Sequence, residues 1–403
     1  VNLLEMAKAT WVPLNYLGER GQQIKVFSQL TKKAREFGYL VPTFEYGYKD
    51  HTGYEGATVL DAQSGAYYTP ITALDFEALY PSIMMAHNLC YSTLVLDPRY
   101  DNLPGVTYER FGCYVFAQGV PSVLPNILSE LKQFRKHAKK DMASATGASK
   151  RMFNGKQLAY KISMNSVYGF TGASVGMLPC VAIASTVTMK GRSMIEDTKN
   201  FLEEHFPGSK VRYGDTDSVM VEFDVGERKG IEAIEYSWHI GEQAAIACNS
   251  LFKKPNNLEL EKVYCPYFLY SKKRYAAKLW TKNADGKMIM DYVDVKGLQL
   301  VRRDNTPHVR EVCKELLDVV LASSDTVEPR ALARKRALEL LRGEVPHEKL
   351  ILSQQLGDSY KSSNLAHVRV RDKMRERQSG SEPQSGDRVP YLLLDTGDHR
   401  AKA

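Results

Sequence analysis

The sequence predicts an α+β chain in which helices and short strands occupy separate stretches. Apolar residues recur at helical spacing over 1–40, over 121–170 and beyond 307. Between these stretches, short β-branched and aromatic runs alternate with Gly and Pro, which is typical of strands. With 403 residues, of which 43% are hydrophobic and 25% charged, the chain is long enough for more than one core.

Composition and charge exclude several classes of protein. No run approaches the roughly 18 consecutive apolar residues of a membrane-spanning helix, so a membrane protein is not expected. The six cysteines include no CxxC pair, which excludes a zinc ribbon and favours a reducing compartment. Lys and Arg number 54 against 47 Asp and Glu, and the resulting net charge of +7 permits a polyanionic partner without requiring one.

The N-terminal part of the chain is predicted to change from helix to sheet. Helical spacing dominates residues 1–40. The strands predicted after it are Thr58–Leu60, Ala66–Tyr68 and Ile71–Leu74. Asp75 ends the last strand, and the segment from Phe76 to Tyr80 is compatible with the start of a helix. We therefore expect Asp75 at the point where a strand gives way to a helix.

A strongly basic helical hairpin is predicted next. Its helices cover Pro121–Met142 and Lys150–Phe170, and the small polar stretch Ala143–Ala148 joins them. Between Lys132 and Lys161 there is one acidic residue, Asp141. The nine basic residues of the same segment are Lys132, Arg135, Lys136, Lys139, Lys140, Lys150, Arg151, Lys156 and Lys161. A hairpin of this charge repels itself unless an anion binds to it.

The second half of the chain alternates helix and strand. A helix from Gly191 to about His205 leads to a β-hairpin over 211–221, which carries Asp215 and Asp217 at its tip. The other predicted elements are a helix at 230–252, strands at Leu258–Tyr264, Tyr267–Tyr270 and Tyr275–Thr281, helices at Pro307–Leu321 and Pro329–Leu341, and a basic low-complexity stretch at Arg369–Gly386.

The Asp-Thr-Asp sequence at 215–217 has three interpretations. An EF-hand loop starting at Asp215 needs an oxygen ligand, Gly and Glu where this chain has Val219, Met220 and Gly226, so that interpretation fails. A solvated β-turn is the simple alternative, because Asp is common in turns. A magnesium site is the third, and it requires another carboxylate, for which Asp75 is the candidate.

Four motifs in this chain resemble those of the family B DNA polymerases. The first polymerase motif is matched by Asp-Phe-Glu-Ala-Leu-Tyr-Pro-Ser-Ile at 75–83, and the fingers motif by Lys-Ile-Ser-Met-Asn-Ser-Val-Tyr-Gly at 161–169. The carboxylate hairpin is matched by Tyr-Gly-Asp-Thr-Asp-Ser at 213–218, and the duplex-binding element by Ser-Lys-Lys-Arg-Tyr at 271–275. The order along the chain is that of the family, and the flanks are similar to its delta-type catalytic subunits, cellular or from large DNA viruses.

The resemblance implies a right-hand polymerase with an antiparallel-sheet palm, helical-hairpin fingers and a mainly helical thumb. The implied parts are a connector at 1–70 leading from a missing exonuclease and N-terminal region into the palm, palm at 71–115 and 171–295, fingers at 116–170, and a thumb at 296–403 that is expected to be truncated. The chain is thus expected to be the polymerase part of a longer protein. Proofreading is not expected here, because the family's exonuclease motifs lie upstream of the matched region.

The resemblance also implies two-metal nucleotidyl transfer. Asp75, Asp215 and Asp217 are the implied catalytic carboxylates, and Asp75, Asp217 and the carbonyl of Phe76 are the implied ligands of two Mg²⁺ ions. In such chemistry one ion activates the primer 3′-hydroxyl and the other neutralises the triphosphate and the leaving pyrophosphate. Carboxylates crowded in this way repel one another without a cation.

Nucleotide-binding residues are implied on both sides of these carboxylates. They are Leu79, Tyr80, Arg135, Lys139, Lys161, Asn165 and Tyr168. Spacing of i, i+4 and i+7 places the last three on one face of their predicted helix, and Arg135 and Lys139 share a face of the other. The ring of Tyr80 is implied to exclude a 2′-hydroxyl from the sugar site. A solvated basic helix with ordinary aromatic packing remains the alternative.

Contacts to DNA are implied in the C-terminal half. Lys272, Lys273, Arg274 and Tyr275 are the implied residues that hold the primer-template backbone, although a basic run is also typical of a solvated face. Glu259 and Glu261 look like the family's acidic residues near the metals, and core-edge carboxylates paired with Lys262 are the alternative. Tyr54–Ala57 resembles a template-strand motif, and a tight turn explains it nearly as well.

The implied function is DNA-templated DNA polymerase activity in DNA replication. The implied partners are primer-template DNA, dNTPs, a sliding clamp and the missing exonuclease domain, with the nucleus or a viral replication site as the location. The alternative is a non-catalytic scaffold that binds primer-template DNA and keeps the fold. Intact Asp75, Asp215, Asp217 and Lys161 favour the catalytic interpretation.

Overall fold

The computed structural model describes residues 2–42, 53–173, 175–362 and 364–394. The chain divides into two compact units. The first comprises Val1–Leu60, Ala73–Asp224 and His239–Glu261, and the second comprises Asp61–Thr72, Val225–Trp238 and Lys262–Ala403. Parts of the predicted connector, at 43–52, and of the predicted thumb, at 395–403, lie outside the described residues. Within the described ranges, no helix is long and apolar enough to cross a membrane.

Helices form most of the first unit and the C-terminal part of the second. In chain order they are α1 (Asn2–Thr10), α2 (Tyr16–Glu19), α3 (Gln23–Glu36), α4 (Leu79–Ala86), α5 (Val123–Ser144), α6 (Gly147–Thr171), α7 (Val181–His205), α8 (Gly230–Cys248), α9 (Pro307–Val320), α10 (Val327–Leu341) and α11 (Ala366–Arg377).

The strands pair antiparallel in the registers that the structure defines. In chain order they are β1 (Gly65–Tyr67), β2 (Ile71–Phe76), β3 (Thr107–Phe111), β4 (Tyr114–Gln118), β5 (Lys210–Asp215), β6 (Ser218–Glu222), β7 (Leu258–Ser271), β8 (Arg274–Lys282), β9 (Met288–Lys296), β10 (Leu352–Gln355) and β11 (Arg388–Tyr391). In the first unit, β6 lies between β5 and β2, and β3 pairs with β4. In the second unit, β8 lies between β7 and β9, β1 pairs with β7, and β10 pairs with β11.

One continuous apolar core supports the first unit. It includes Val26 and Leu30 of α3, Ile83 of α4 and Leu128 of α5, all of which are buried. Phe76, at the end of β2, belongs to the same cluster and packs edge-on against the ring of Phe252 at a centroid distance of 5.2 Å. Because burial of such side chains is the main stabilising contribution to folding, the strand end that carries Asp75 is anchored by its apolar neighbours.

The second unit has smaller, separate cores. One joins Ala276 of β8 to Leu317 of α9 and to Leu321 just after it. Another joins Leu356 to Val368 of α11 and Val389 of β11. The mixed helices and antiparallel strands of the two units together confirm the predicted α+β class.

Several predicted elements are confirmed within a few residues. The basic helical hairpin consists of α5 and α6, and its connection is shorter than predicted, because only Ala145 and Thr146 separate the helices. The β-hairpin that carries Asp215 and Asp217 is formed by β5 and β6. The predicted helices after Pro307 correspond to α9 and α10.

The predictions for strand and helix boundaries contain errors. A strand at Thr58–Leu60 was expected, but of these residues only Val59 forms an isolated bridge, to Asp215. The helix expected from Gly191 begins ten residues earlier, at Val181. Its first turns are rich in β-branched residues, which discourage a helix locally. Burial of Ile183 and Val187 overrides this preference.

Further elements differ from the sequence predictions. The two strands expected around Pro266 are one strand, β7, and its pairing shifts register between Tyr264 and Tyr267, which accommodates the proline. Strands β3, β4, β9, β10 and β11 have no counterpart in the prediction. The low-complexity stretch expected from Arg369 contains part of helix α11, in which Asp372 pairs with Arg375 at 2.8 Å. These ion pairs and burial of one apolar position support a helix despite its high charge.

Candidate active site

A cleft of about 750 Å³ lies in the first unit. Its lining comes from the end of β2, the start of α4, the facing sides of α5 and α6, the β5–β6 turn and the first residues of β7. The predicted site residues that line it are Asp75, Phe76, Leu79, Tyr80, Arg135, Lys161, Asn165, Tyr168, Asp217, Glu259 and Glu261. Residues from segments far apart in the sequence therefore share one cavity.

Main-chain hydrogen bonding places the two carboxylates of Asp75 and Asp217 at the same edge of the cleft. The β5–β6 turn pairs Asp215 with Ser218, so Asp217 lies at the tip. The N–H of Phe76 donates to the carbonyl of Asp217 at 2.8 Å. Asp75 directly precedes Phe76 on β2, and Asp217 directly precedes β6. This hydrogen bond therefore holds the two acidic residues close to each other on neighbouring strands of one sheet. Both side chains are partly exposed to the cleft.

Asp215 has a different environment from Asp217. Its carboxylate accepts hydrogen bonds from the Tyr213 hydroxyl at 3.2 Å and from the Thr216 hydroxyl at 3.1 Å. Its carbonyl accepts from the N–H of Asp217 at 2.6 Å. Asp215 thus takes part in the hydrogen bonds that hold the hairpin tip, whereas Asp217 is the carboxylate of this turn that lines the cleft.

Two residues of the lining have left-handed backbone conformations without being glycine. Ala78 has φ 49° and ψ 58° at the N-terminus of α4, and Thr216 has φ 60° in the β5–β6 turn. Such conformations are unfavourable for residues with a Cβ atom and cluster at functional sites. Among the residues that the structure describes, no side chain caps the N-terminus of α4. The first N–H groups of the helix therefore remain available to an anion.

The basic hairpin contributes two cations to the cleft. Lys161 of α6 is exposed, and Asn165 and Tyr168 line the cleft from the same helix face, in agreement with their spacing. Arg135 of α5 also lines it, and its Nε atom is buried without an acceptor among the described residues. A buried guanidinium N–H without an acceptor favours an anionic ligand. Lys139, one turn further along α5, is exposed to solvent and does not line the cleft.

Tyr80 and Tyr168 form a tyrosine wall of the cleft, and Tyr54 contacts Tyr168 from outside the lining. The rings of Tyr80 and Tyr168 are 4.4 Å apart at an angle of 43°, and the Tyr168 hydroxyl lies 3.2 Å from that of Tyr54. Burial raises the pKa of Tyr80, and the negative charge of Asp217 raises it further. Burial and the contact with Tyr54 raise the pKa of Tyr168 in the same direction. Both tyrosines therefore stay neutral and present rigid aromatic surfaces beside the carboxylates.

The acidic residues of β7 lie at the rim of the cleft. Glu259 and Glu261 are exposed and alternate along the strand. The amide of Asn257 donates to Glu259 at 2.7 Å. The ammonium of Lys262, the next residue along the strand, lies 5.5 Å from the centre of the Tyr264 ring.

The predicted duplex-binding residues lie in the second unit, at the β7–β8 turn. Ser271 pairs with Arg274, so Lys272 and Lys273 form the tip, and both are exposed. Lys272 forms an ion pair with Asp61 at 2.8 Å, and Lys273 has φ 61°. Tyr275 is buried, 5.5 Å from the ring of Tyr267, so the structure places this predicted DNA contact in an aromatic core.

The base of this hairpin contains a buried carboxylate. Asp294 of β9 is only 4% exposed and accepts hydrogen bonds from the Tyr264 hydroxyl at 2.7 Å and from Lys296 at 2.9 Å. Burial by itself would raise the pKa of Asp294, but the hydrogen bonds from Lys296 and Tyr264 outweigh it and hold the pKa below its usual range. Asp294 therefore ties two strands of the sheet together through charged hydrogen bonds.

Comparison with known proteins identifies the family of this chain. The profile described as DNA polymerase family B matches residues 12–403. The chain belongs to the family B DNA polymerases. A DNA polymerase of Paramecium bursaria Chlorella virus NY2A is 44% identical over 409 residues, a match that covers 98% of this chain and 44% of the viral protein.

Cellular members of family B are similarly close. The DNA polymerase delta catalytic subunit of Candida albicans is 42% identical over 415 residues, which cover 98% of this chain and 38% of that protein. The corresponding subunit of Drosophila melanogaster is 43% identical over 410 residues, with 98% and 36% coverage. The chain thus spans about two fifths of the length of the curated relatives that it matches.

Family B polymerases generally use divalent metal ions, and the donor chemistry of the cleft fits such ions. The carboxylates of Asp75 and Asp217 line it together with Phe76, which offers a backbone carbonyl. These are hard oxygen donors, the type that magnesium prefers. Within the described parts of the chain, no three His, Cys, Asp or Glu side chains form a metal-binding group. Asp75 and Asp217 are thus the carboxylate pair that fits such ions, and backbone or ligand oxygens would supplement them.

Sequence reasoning missed several residues that shape the family B cleft. Gly191 of α7 packs against the Tyr80 ring, and a Cβ atom at this position would lie 3.2 Å from Cε1 of Tyr80. Glu77 and Ala78 line the cleft within the first motif, and Thr216 lines it between two predicted aspartates. A glycine inside a long helix is the one available sequence signal, because it often marks close packing.

Proposed function

We propose that this chain is the polymerase part of a DNA-templated DNA polymerase that acts in DNA replication and extends a primer 3′-hydroxyl with dNTPs. The observation that carries the proposal is the cleft itself. Asp75 and Asp217 share its lining with Arg135 and Lys161. Carboxylates for divalent cations and cations for phosphates are the two groups that phosphoryl transfer requires in one place.

The proposed mechanism assigns a role to each side of the cleft. Asp75 and Asp217, with the Phe76 carbonyl, would hold two Mg²⁺ ions, and Asp215 would stabilise the turn that presents Asp217. When bound, the ions would supply charge neutralisation and polarisation of the reacting oxygens. The chain's own residues then orient the triphosphate, and correct orientation supplies much of the rate enhancement in phosphoryl transfer.

The triphosphate is assigned to the side of the cleft formed by α4, α5 and α6. Arg135 offers a buried N–H without an acceptor among the described residues, Lys161 offers a mobile ammonium, and Asn165 lies one turn beyond it. The uncapped N–H groups of α4, at Leu79 and Tyr80, add the positive end of a helix dipole. Lys139 is assigned to the same triphosphate, towards which its exposed side chain would turn.

The tyrosine wall is assigned to recognition of the nucleotide. Tyr80 packs on Tyr168 at 4.4 Å and Gly191 lies behind it, so its ring has little freedom to move aside. A fixed ring under the sugar would exclude a 2′-hydroxyl and so select deoxynucleotides. Tyr168 would then pack against the nascent base pair.

The remaining assignments concern DNA and partners. Lys272, Lys273 and Arg274 would hold the backbone of primer-template DNA through contacts independent of sequence, with Tyr275 supporting them from the core. Glu259 and Glu261 would lie near the metals.

The palm is assigned to 71–115 and 171–295, the fingers to 116–170, the thumb to 296–403 and the connector to 1–70. A sliding clamp, an exonuclease domain of the longer protein, and a nuclear or viral replication site complete the proposal.

Primer extension by the purified chain tests this proposal. Wild type should extend a primed template with dNTPs and Mg²⁺, and EDTA should stop the reaction. Asp75→Asn should lower extension by about a thousandfold, a typical loss for a group that holds catalytic metals. Asp141→Asn, which removes an exposed carboxylate of α5, is the matched control and should retain activity. A wild-type chain that binds duplex DNA tightly but does not extend it would instead indicate a non-catalytic scaffold.

A further inference from the structure

The cleft contains more negative charge than its proposed chemistry uses. The charged side chains of its lining are the carboxylates of Asp75, Glu77, Asp217, Glu259 and Glu261 and the cations of Arg135 and Lys161. Asp75 and Asp217 are assigned to metal ions, and Glu259 accepts a hydrogen bond from a neutral amide. Glu77 has no role in that mechanism, although a carboxylate beside a triphosphate would repel it.

Glu77 is held in a fixed position beside the uncapped end of α4. Its N–H donates to the carbonyl of Asn257 at 2.9 Å, and its carbonyl accepts from the Ser82 hydroxyl at 3.0 Å. The next residue is Ala78, whose left-handed conformation starts the helix. These contacts hold the main chain of Glu77 in place, and its side chain lines the cleft beside this end of α4.

The Glu77 carboxylate forms an ion pair with Lys132 of α5, at 3.0 Å. Lys132 lies one helical turn before Arg135 and is not part of the lining of the cleft. The two side chains are 30% and 38% exposed, and an ion pair of this kind contributes little to stability. Its effect on the potential inside the cleft is larger, because the surrounding protein screens charge poorly.

We propose that Lys132 serves nucleotide binding indirectly, by neutralising Glu77 so that the α4 end of the cleft accepts a triphosphate. This inference rests on the proposed polymerase function. Lys132 is a positioning residue in this scheme, since it acts through Glu77 and not through contact with the nucleotide. In this scheme Lys132 has a specific partner, Glu77, whereas the other lysines of the same helix are solvated.

Steady-state extension with a set of charge variants tests the proposal. Lys132→Met should raise the KM for dNTP about five- to tenfold at low salt while kcat stays within about twofold, because an unpaired charge repels substrate in every bound state. The double variant Glu77→Gln/Lys132→Met should return KM to within about twofold of wild type. The Lys132→Met penalty should shrink at high ionic strength as screening increases.

Two further variants make the test specific. Lys136→Met removes an exposed charge from the same helix and should leave KM within about twofold of wild type. Glu77→Gln by itself should give a KM for dNTP at or below that of wild type, because it removes the repelling carboxylate. This variant tests the proposal even if thermal unfolding shows that Lys132→Met does not fold.

The outcomes separate this inference from the proposed function. A double variant as impaired as Lys132→Met would overturn the inference, because Lys132 would then act without Glu77. An equal defect in Lys136→Met, or a raised KM in Glu77→Gln, would overturn it as well. A wild-type chain without metal-dependent extension would refute the polymerase function itself, whereas normal extension with an unaffected Lys132→Met would refute only the role of Lys132.

Discussion

The β5–β6 and β7–β8 hairpins have similar turns with opposite charges. Each has two residues at its tip, Thr216–Asp217 in one and Lys272–Lys273 in the other. Each turn also contains a non-glycine residue with φ near 60°, Thr216 or Lys273. The two tips differ in charge, and in the proposed function the acidic turn would hold a metal cation and the basic turn a phosphate. The same turn geometry can therefore present either acidic or basic side chains, and the charge of those side chains determines which ligand the turn can bind.

The hairpins also differ in how their tips are supported. The acidic turn is held by polar contacts, such as the bond from Phe76 to the carbonyl of Asp217. The basic turn is supported by close packing of Gly297 against the carbonyl of Lys273 and by the buried network of Asp294 below it. We therefore expect substitutions in the first hairpin to affect chemistry and substitutions near the second to affect folding and DNA affinity.

The largest effect is expected from Asp217→Asn. Loss of this carboxylate should reduce primer extension by about a thousandfold, because the site loses a charged metal ligand. Duplex affinity, measured by fluorescence anisotropy, should change less than about twofold. Asp224→Asn removes an exposed charge just beyond the same hairpin and is the control. Near-normal extension by Asp217→Asn would remove the functional distinction between the two hairpins.

The next largest effect, on stability, is expected from substitution of two glycines close to the hairpin turns, Gly297 and Gly214. Gly297 has φ 62°, and a Cβ atom there would collide with the backbone carbonyl of Lys273, so Gly297→Ala should destabilise the chain by about 3 kcal/mol. At Gly214 a Cβ atom would lie 2.7 Å from Cδ1 of Leu60, a side chain that can move, so Gly214→Ala should cost about 1 kcal/mol. Urea unfolding measures both, and equal costs would contradict the difference in support.

A smaller effect is expected at the basic tip. The double variant Lys272→Ala/Lys273→Ala should weaken duplex binding about tenfold at 0.1 M salt and lower the slope of log K against log salt by about 2. The kcat at saturating DNA should stay within about twofold. Lys287→Ala, an exposed lysine between β8 and β9, is the control. An unchanged salt slope would show that these lysines do not contact phosphates.

The smallest effect is a pH dependence at the base of the basic hairpin. Because the pKa of Asp294 is lowered in the folded chain, its contribution to stability is present above the ordinary Asp pKa of about 4 and is lost as pH falls through the folded value. Asp294→Asn should therefore cost about 1 kcal/mol at neutral pH and little in acid. Urea unfolding across this range measures the difference, and Asp291→Asn, an exposed neighbour, should leave the pH profile unchanged.

Much of the candidate site could be predicted because its motifs are short and local. Lys161, Asn165 and Tyr168 line the cleft from one helix face, as their spacing indicates. The same argument could not predict that Arg135 lines the cleft and Lys139 does not, because both lie on one face of α5. The position of the helix in the fold decides which of the two reaches the cleft, and the spacing of residues along the sequence does not reveal that position.

Other differences arise from burial that local patterns do not reveal. Tyr275 follows three basic residues and resembles part of a DNA-binding run, but side chains alternate along β8 and this one enters the aromatic core. Helix α7 begins ten residues earlier than its spacing suggests, because core packing of Ile183 outweighs local strand preference. Strand β9 contains Ile289, Val293 and Val295, which favour a strand, but five of its nine residues are exposed, so its apolar residues do not follow a simple inside–outside alternation.

The uncapped start of α4 bears on how this chain can be made more robust. A serine or aspartate in place of Ala78 would supply the missing cap if this residue changed from its left-handed to an extended conformation, and such a cap typically adds about 1 kcal/mol of stability. The same side chain would occupy the N–H groups that we assign to the nucleotide. A substitution of Ala78 that raises thermostability should therefore lower turnover. Engineering for heat resistance should begin elsewhere, for example among the small cores of the second unit.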